Sequence, residues 1–390
     1  MENPASKPDA TVSADAKPIP SPLASVYASA GARMGVWFGC ALPDDFGDPA
    51  AEYRFANQTV ALEDKNYRSH LSFTGPDRVR YLNAILTNNI KDLAAGQGTI
   101  SLLLNPQGHI LAEIETYAFT DHHLCVSYAM IREQLIEWMD KYIIMDDVTL
   151  ADQTERWRTL ALEGPQAAAI VKELTGVDLQ QLKELSSVDA RLLPYHPVAA
   201  PSAVEGAKLS MSPVPCRMVK RSPGKVAGAE FVVESDHLGT LWQILLEATR
   251  RHGGGPAGYT ALSGQRLAQG VPWFGYDFGE KQIPHEAGLE NSHISYTKGC
   301  YTGQEIVERV RSRGHLNRRR VSLLFSGDAV PGPGVPLTAD GKEVGSVTRA
   351  ARVWDPPRII GLGYVRKEAE APGTDLRWPG GTATITRREQ

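Results

Sequence analysis

Two stretches of this chain share one piece of local grammar, and that repetition narrows the fold more than any other feature. YRSHLSFTGPD (67–77) and RTLALEGPQ (158–166) each read as an extended run, a Gly-Pro break and the start of a helical pattern. In the first, the alternation of YRSHLSF marks a strand and Gly75-Pro76 ends it. DRVRYLNAIL then continues at helical spacing, with Pro76 where a helix start tolerates proline. In the second, LALEGPQ repeats the order and AAAIVKEL supplies the helix. The two lie about 90 residues apart, which points to an internally duplicated α+β body. Between them, ISLLLNPQGHILAEIETYAF (100–119) predicts two strands around an Asn-Pro-Gln-Gly turn. HLCVSYA (123–129) predicts a third, completing a meander before the amphipathic MIREQLIEWMDKYI. Segment 176–206, rich in Leu, Pro and Ala, reads as a surface connection, and AEFVVES and HLGTLWQILLEATRR give another strand and helix.

Beyond residue 318 the texture changes. RRVSLLFSG, GVPLTADGKEVGSVTRAARV, RIIGLGYVR and TATITRRE are short β-type runs broken by PGPG, ADG and PGG, the pattern of a small antiparallel barrel or sandwich. The chain of 390 residues therefore divides into a disordered or extended tail (1–50), a first α+β domain (51–155), a second α+β domain (156–317) and a C-terminal barrel (318–390). The first 22 residues, rich in Ala, Pro, Ser and Lys, have neither the apolar core of a signal peptide nor the arginines of a transit peptide. No run approaches 18 apolar residues, so no membrane span is expected, and a cytoplasmic location is. A formal charge of -4 means that any basic site is local. The four cysteines, Cys40, Cys125, Cys216 and Cys300, form no CxxC pair, which predicts no disulfide framework and no self-contained metal site. Cys125, on an alternating strand, is expected to be buried and inert. P-loop, GxSxG and HExxH patterns are absent.

KGCYTGQE (298–305) carries the densest local chemistry. Thr302 and Glu305 have the spacing of a capping box ahead of Ile306-Val307, predicting a helix from 303 to about 313. Cys300 then stands just outside a helix start, with Lys298 nearby. Both would favour thiolate, although the same residues suit a tightly packed turn in which the thiol only fills space. Arg309, Arg311, Arg313, Arg318, Arg319 and Arg320 crowd the following span with His315. They read as solvated surface or as an anion site. Interleaved aromatics, which a nucleic-acid platform requires, are missing. VPWFGYDFG (271–279) reads either as core or as the wall of a pocket for a flat heterocycle.

KGCYTGQE resembles the signature of the YgfZ family of folate-binding proteins, relatives of the T-protein (aminomethyltransferase) of the glycine cleavage system. FTGPDRVRYLNAILTNNI, LLLNPQGHILAEI, KYIIMDDV and IPHEAGLENSHISYTKGCYTGQE resemble further family segments, and VGSVTRA and IIGLGYVR resemble strands of its barrel, over roughly residues 55 to 390. The resemblance implies an α+β, T-protein-like fold: two related α+β domains around a central folate channel, plus a small antiparallel C-terminal β-barrel. It implies tetrahydrofolate, or a one-carbon derivative, as cofactor. In the YgfZ branch it also implies an accessory role in assembly or repair of iron-sulfur enzymes, with client or assembly proteins as partners and Cys300 acting with Lys298 at the rim of the folate pocket. The alternative it implies is an aminomethyltransferase or demethylase moving one-carbon units between an amine and tetrahydrofolate. Residue by residue, Glu230 falls on the T-protein's pterin-binding glutamate and Leu262 on its second folate contact, an arginine. Ala112-Glu113 falls on the acidic pair that includes its catalytic aspartate, and Glu113 is one methylene longer than that aspartate, which weighs against turnover. Trp273, Tyr301, Gln304 and Glu305 complete the expected cofactor-binding set; no metal site, membrane or nucleic-acid partner is expected.

Overall fold

A computed structural model describes residues 17–193, 212–224, 226–314 and 316–387. Each copy of the repeated grammar forms the expected strand, turn and helix. Strand Arg68–Thr74 leads into helix Arg78–Ile85, and strand Trp157–Glu163 into helix Ala167–Thr175. Both helices bury an apolar stripe: Tyr81, Leu82 and Ile85 in the first, Ala167, Ile170, Val171 and Leu174 in the second. Gly75 (φ 96°) and Gly164 (φ 142°) occupy backbone conformations that L side chains rarely adopt. A Cβ at Gly75 would strike the carbonyl of Asp147, and one at Gly164 that of Thr59, so both turns press against the neighbouring edge of their sheet.

The two sheets have matching orders. The first runs Gly98–Leu104, Ile110–Ala118, His123–Tyr128, Arg68–Thr74, Thr149–Asp152. The second runs Ser187–Leu192, Val214–Lys220, Gly228–Glu234, Trp157–Glu163, Ala61–Asp64, with Gly255–Pro256 added in parallel at its edge. In each, a three-stranded meander precedes the repeated strand and a short strand closes the far side. Those closing strands are exchanged. Thr149–Asp152 immediately precedes the second unit but pairs with Arg68–Thr74, and Ala61–Asp64 precedes the first unit but pairs with Trp157–Glu163. Ala61–Asp64 thus crosses the expected cut at 155/156 to pair with Trp157–Glu163, whereas Thr149–Asp152 and its partner Arg68–Thr74 both lie before it.

The C-terminal strands close into a barrel in the order Arg318–Phe325, Pro357–Arg366, Lys342–Trp354, Pro336–Ala339, Asp375–Trp378, Gly381–Thr386. Closure removes the sheet edges. In segment 176–206, residues 194–206 lie outside the described residues, but Ser187–Leu192 is an edge strand rather than a surface connection.

The expectation of a tail over 1–50 needs correction. Residues 1–16 lie outside the described residues, whereas 17–50 hold a helix, Ala24–Ser29, and an antiparallel hairpin, Arg33–Trp37 with Cys40–Asp45. The Ala/Pro/Ser composition ends before GVWFGC, whose Trp37 and Phe38 are fully buried. Burying two such side chains contributes about 1.5–3 kcal/mol each. Phe38 sits at the hairpin tip with φ 52°, a conformation rare outside glycine, and packing holds it there. Its ring stacks on Tyr67 with centroids 4.2 Å apart and meets the edges of Trp273 and Tyr276.

Candidate functional site

The strand exchange brings the segment 65–67, which passes from one sheet to the other, into the space between them. A cavity of about 340 Å³ opens there. Tyr67, Tyr128 and Trp273 give it flat apolar faces, and Phe38 wedges behind all three. The barrel supports the same wall: the Arg349 guanidinium lies 4.0 Å from the Trp273 ring centroid and pairs at 2.6 Å with Asp277, and all atoms of both side chains are buried. From the barrel Arg320 also lines the cavity.

The polar lining belongs to an ion network whose Glu63 and Glu163 lie behind it. Arg68 pairs with Glu115 at 2.6 Å, and Arg221 with the same carboxylate at 2.9 Å. Arg266 holds both oxygens of Glu163 at 2.6 Å. Lys65 stands 3.4–3.6 Å from Glu163, Glu63 and Glu230. Four cations thus face four carboxylates. Burial opposes ionisation of Glu115, but Arg68 and Arg221 outweigh it and hold that carboxyl well below its usual range. Glu63 has no such excess: burial first, then the charge of Glu163, pushes it up to about 7. Glu230, 4% exposed, has contacts of 3.3–3.6 Å to Arg68 and Lys65, longer than charge-assisted hydrogen bonds normally run. Its lone pairs therefore remain open to shorter donors. Arg68 Nε is buried with no hydrogen-bond partner, a donor facing unfilled need in the same wall. Flat faces, an under-coordinated carboxylate and an orphaned donor fit a polar heterocycle such as a reduced pterin.

A second polar group in the lining centres on Glu113. Its Oε2 accepts from Tyr128 OH at 2.7 Å and its Oε1 lies 3.0 Å from His293 Nε2. His293 Nδ1 is 2.7 Å from Ser292 Oγ.

The expected site residues separate into two groups. Glu230, Glu113 and Trp273 line the cavity; Cys300, Lys298, Tyr301, Gln304 and Glu305 do not. Ser292 and His293 are the last lining residues of their segment, and the chain then runs outward to the exposed Cys300. Lys298 is tied to the 83–88 segment. Its ammonium donates to the carbonyls of Asn83 and Leu86 and, at 3.1 Å, to that of Asn88, and burial lowers its pKa to about 8. Tyr301 is buried beneath that ammonium, which lies 5.1 Å from its ring centroid. The helix Gln304–Arg313 forms, but the capping box does not. Gly303 caps it with φ 81° and no side-chain bond, while Glu305 is exposed and pairs with Arg309 at 2.7 Å. A left-handed Gly303 aims the preceding backbone away from the geometry in which Thr302 could reach the helix N–H groups. The other three thiols are buried, which pushes each up to about 12.

The arginine run is divided rather than pooled: Arg309 pairs with Glu305, Arg311 with Glu308, Arg318 with Glu286, and Arg320 donates to the carbonyl of Ala287. The side chains of Arg313 and His315 lie outside the described residues. Among the described residues no group of three or more His, Cys, Asp or Glu could hold a metal ion, and no helix is long and apolar enough to cross a membrane.

Sequence reasoning missed Lys65, Arg68, Arg221, Arg266 and His293. LEDKNYR (62–68) carried a signal, four charges within a run that continues as buried strand. Leu262, where the T-protein arginine falls, is core, and Arg266 one helical turn later on Tyr259–Ala268 reaches the cavity.

The GCVT N-terminal domain family matches residues 23–292, and the glycine cleavage T-protein C-terminal barrel domain matches residues 318–384. The aminomethyltransferase of Caldanaerobacter subterraneus subsp. tengcongensis is 26% identical over 91% of this chain and 90% of its own length. That of Rubrobacter xylanophilus is 26% identical over 90% of this chain and 88% of its own length. The crystal structure of glycine cleavage system aminomethyltransferase T from Bartonella henselae superposes with a TM-score of 0.81 at 20% identity, covering 94% of this chain and 96% of that one. Two α+β units that trade closing strands around a cavity, followed by a closed barrel that begins at the matched boundary, agree with these matches, and the chain belongs to the glycine cleavage T-protein (GCVT) family.

Proposed function

We propose that the chain binds tetrahydrofolate between its two sheets and moves an aminomethyl-level carbon between that carrier and an amine. The family uses tetrahydrofolate as its one-carbon carrier. One observation carries the reading: Glu113 and Glu230, on strands of different sheets, line the same cavity. Glu230 offers acceptor oxygens to the N–H edge of a pterin, and Tyr67, Tyr128 and Trp273 its flat faces. When bound, tetrahydrofolate supplies the nitrogens that accept the carbon. Glu113, steadied by Tyr128, is the carboxylate that offsets positive charge developing on the reacting amine. Its extra methylene relative to aspartate is accommodated because Tyr128 and His293 fix both oxygens.

The test has two parts: calorimetry with tetrahydrofolate, and incubation of methylene-tetrahydrofolate with ammonium and a small dithiol, a reaction that needs no oxidant. Heat of binding and repeated release of tetrahydrofolate are expected. A wild-type protein that binds no folate ends the proposal.

A second reading, the YgfZ-type accessory role toward iron-sulfur enzymes, is favoured by the exposure of Cys300 while the other three thiols are buried. It predicts that wild type, and not Cys300→Ser, raises the yield of active enzyme when an iron-sulfur protein is reconstituted in its presence. Equal yields with the two proteins would exclude it.

A further inference from the structure

Glu113 does not stand alone in the cavity wall, and its partners form a chain with an unusual property. As a carboxylate it only accepts, so the His293 Nε2 at 3.0 Å must donate to it, as Tyr128 OH does at 2.7 Å. That leaves His293 Nδ1 facing Ser292 Oγ at 2.7 Å, and Ser292 Oγ also within 3.4 Å of the Leu289 carbonyl. Two complete hydrogen-bond patterns follow. With neutral imidazole, Ser292 donates to Nδ1. With imidazolium, Nδ1 donates to Oγ, and the hydroxyl rotates to donate to Leu289. Neither protonation state leaves an orphaned group, and the Glu113 charge offsets the imidazolium. The ring itself is held. The His293 carbonyl accepts from Thr87 Oγ1 at 2.7 Å and its N–H donates to Leu289 at 2.9 Å, and the residue is 6% exposed. Ser292 is exposed and lines the cavity, so it is the end of the chain that a substrate can reach.

We infer that Ser292, His293 and Glu113 form a proton relay in the cavity wall, with Ser292 the catalytic residue that meets the reacting amine and His293 the positioned proton store behind it; this rests on the one-carbon transfer reading above. As the attacking nitrogen bonds to the transferred carbon, it yields its N–H proton to Ser292 Oγ, which passes its own to His293 Nδ1. The bond from carbon to the leaving heteroatom breaks with its electron pair, and that atom takes the proton back along the same path. The carbon changes carrier without changing oxidation level, so no oxidant or reductant enters.

The experiment measures tetrahydrofolate release from methylene-tetrahydrofolate, ammonium and a dithiol by wild type, Ser292→Ala, His293→Gln and His293→Gly. Glutamine keeps an N–H for Glu113 and so preserves a purely structural role. His293→Gln is expected to lose kcat by about tenfold or more while KM stays within about threefold. Added imidazole is expected to restore His293→Gly at least in part. Wild-type kcat in His293→Gln overturns the relay and leaves the transfer reading intact. A wild type that binds tetrahydrofolate without turnover removes the transfer reading, and the relay with it.

Discussion

KGCYTGQE and the central cavity lie a few residues apart along the chain, and each contains a lysine withdrawn from water, yet the two lysines meet opposite surroundings. Lys65, in the cavity, loses hydration but gains three carboxylates at 3.4–3.6 Å, and its pKa is held well above the ordinary lysine range. Lys298 meets backbone carbonyls and the Tyr301 ring rather than carboxylates, and burial lowers it to about 8. The first is a charge built into the cavity wall. The second pins a turn, tying the octapeptide to the 83–88 segment and pointing Cys300 outward. The most distinctive run of letters is thus an external feature, while the cavity is assembled from residues scattered over many segments of the chain. Charge pairing across segments, rather than motif density, marks the cavity.

The largest expected effect lies in the cavity. Glu230→Ala removes the open acceptor and leaves Lys65 and Arg68 short of a counter-charge, so tetrahydrofolate affinity measured by calorimetry should fall about 100-fold, or roughly 3 kcal/mol. An unchanged affinity would dissolve the distinction between the two regions.

Glu63 gives a pH signature. Its folded pKa of about 7 lies above the ordinary 4.5, so the fold favours the protonated form. That contribution is complete below pH 4.5 and is lost as pH rises through about 7. Chemical denaturation of wild type and Glu63→Gln should show a stability gap that widens in favour of the variant across that window, by up to about 3 kcal/mol. A constant gap would mean that Glu63 does not titrate there. Glu163, held down to about 2 by Arg266 and Lys65 against its burial, acts only at lower pH.

The smallest effects belong to the octapeptide. A thiol-reactive probe should label the exposed Cys300 at least about tenfold faster than Cys125, which is 0% exposed, while Cys300→Ser leaves folate affinity within about twofold. Equal labelling, or a folate defect in Cys300→Ser, would join the two regions again.

Much of the fold is legible in local pattern. Alternation and Gly-Pro breaks locate Arg68–Thr74 and Trp157–Glu163, and the turn at Asn105–Gly108 locates the meander, because strand periodicity and left-handed turns are set by residues adjacent in the chain. The Trp37-Phe38 hairpin was lost behind a tail-like composition, since nothing local says that a hairpin tip will wedge between Tyr67 and Trp273. The capping box failed for a related reason: Thr302 and Glu305 have the spacing, but Gly303 takes a left-handed turn against the carbonyl of Asn105, which comes from another segment.

What the amino-acid order determined by itself is the set of elements: a duplicated strand-turn-helix unit, a meander in the first half and a run of short strands able to close. Only the tertiary structure decided that Thr149–Asp152 and Ala61–Asp64 exchange sheets, that the crossing segment carries Lys65, Tyr67 and Arg68 into the gap, and that Glu113 finds His293 there. The reason is physical. Strand and turn preferences are short-range, whereas buried charges are tolerated only where counter-charges from distant segments meet them, and that meeting is fixed by packing rather than by spacing along the chain.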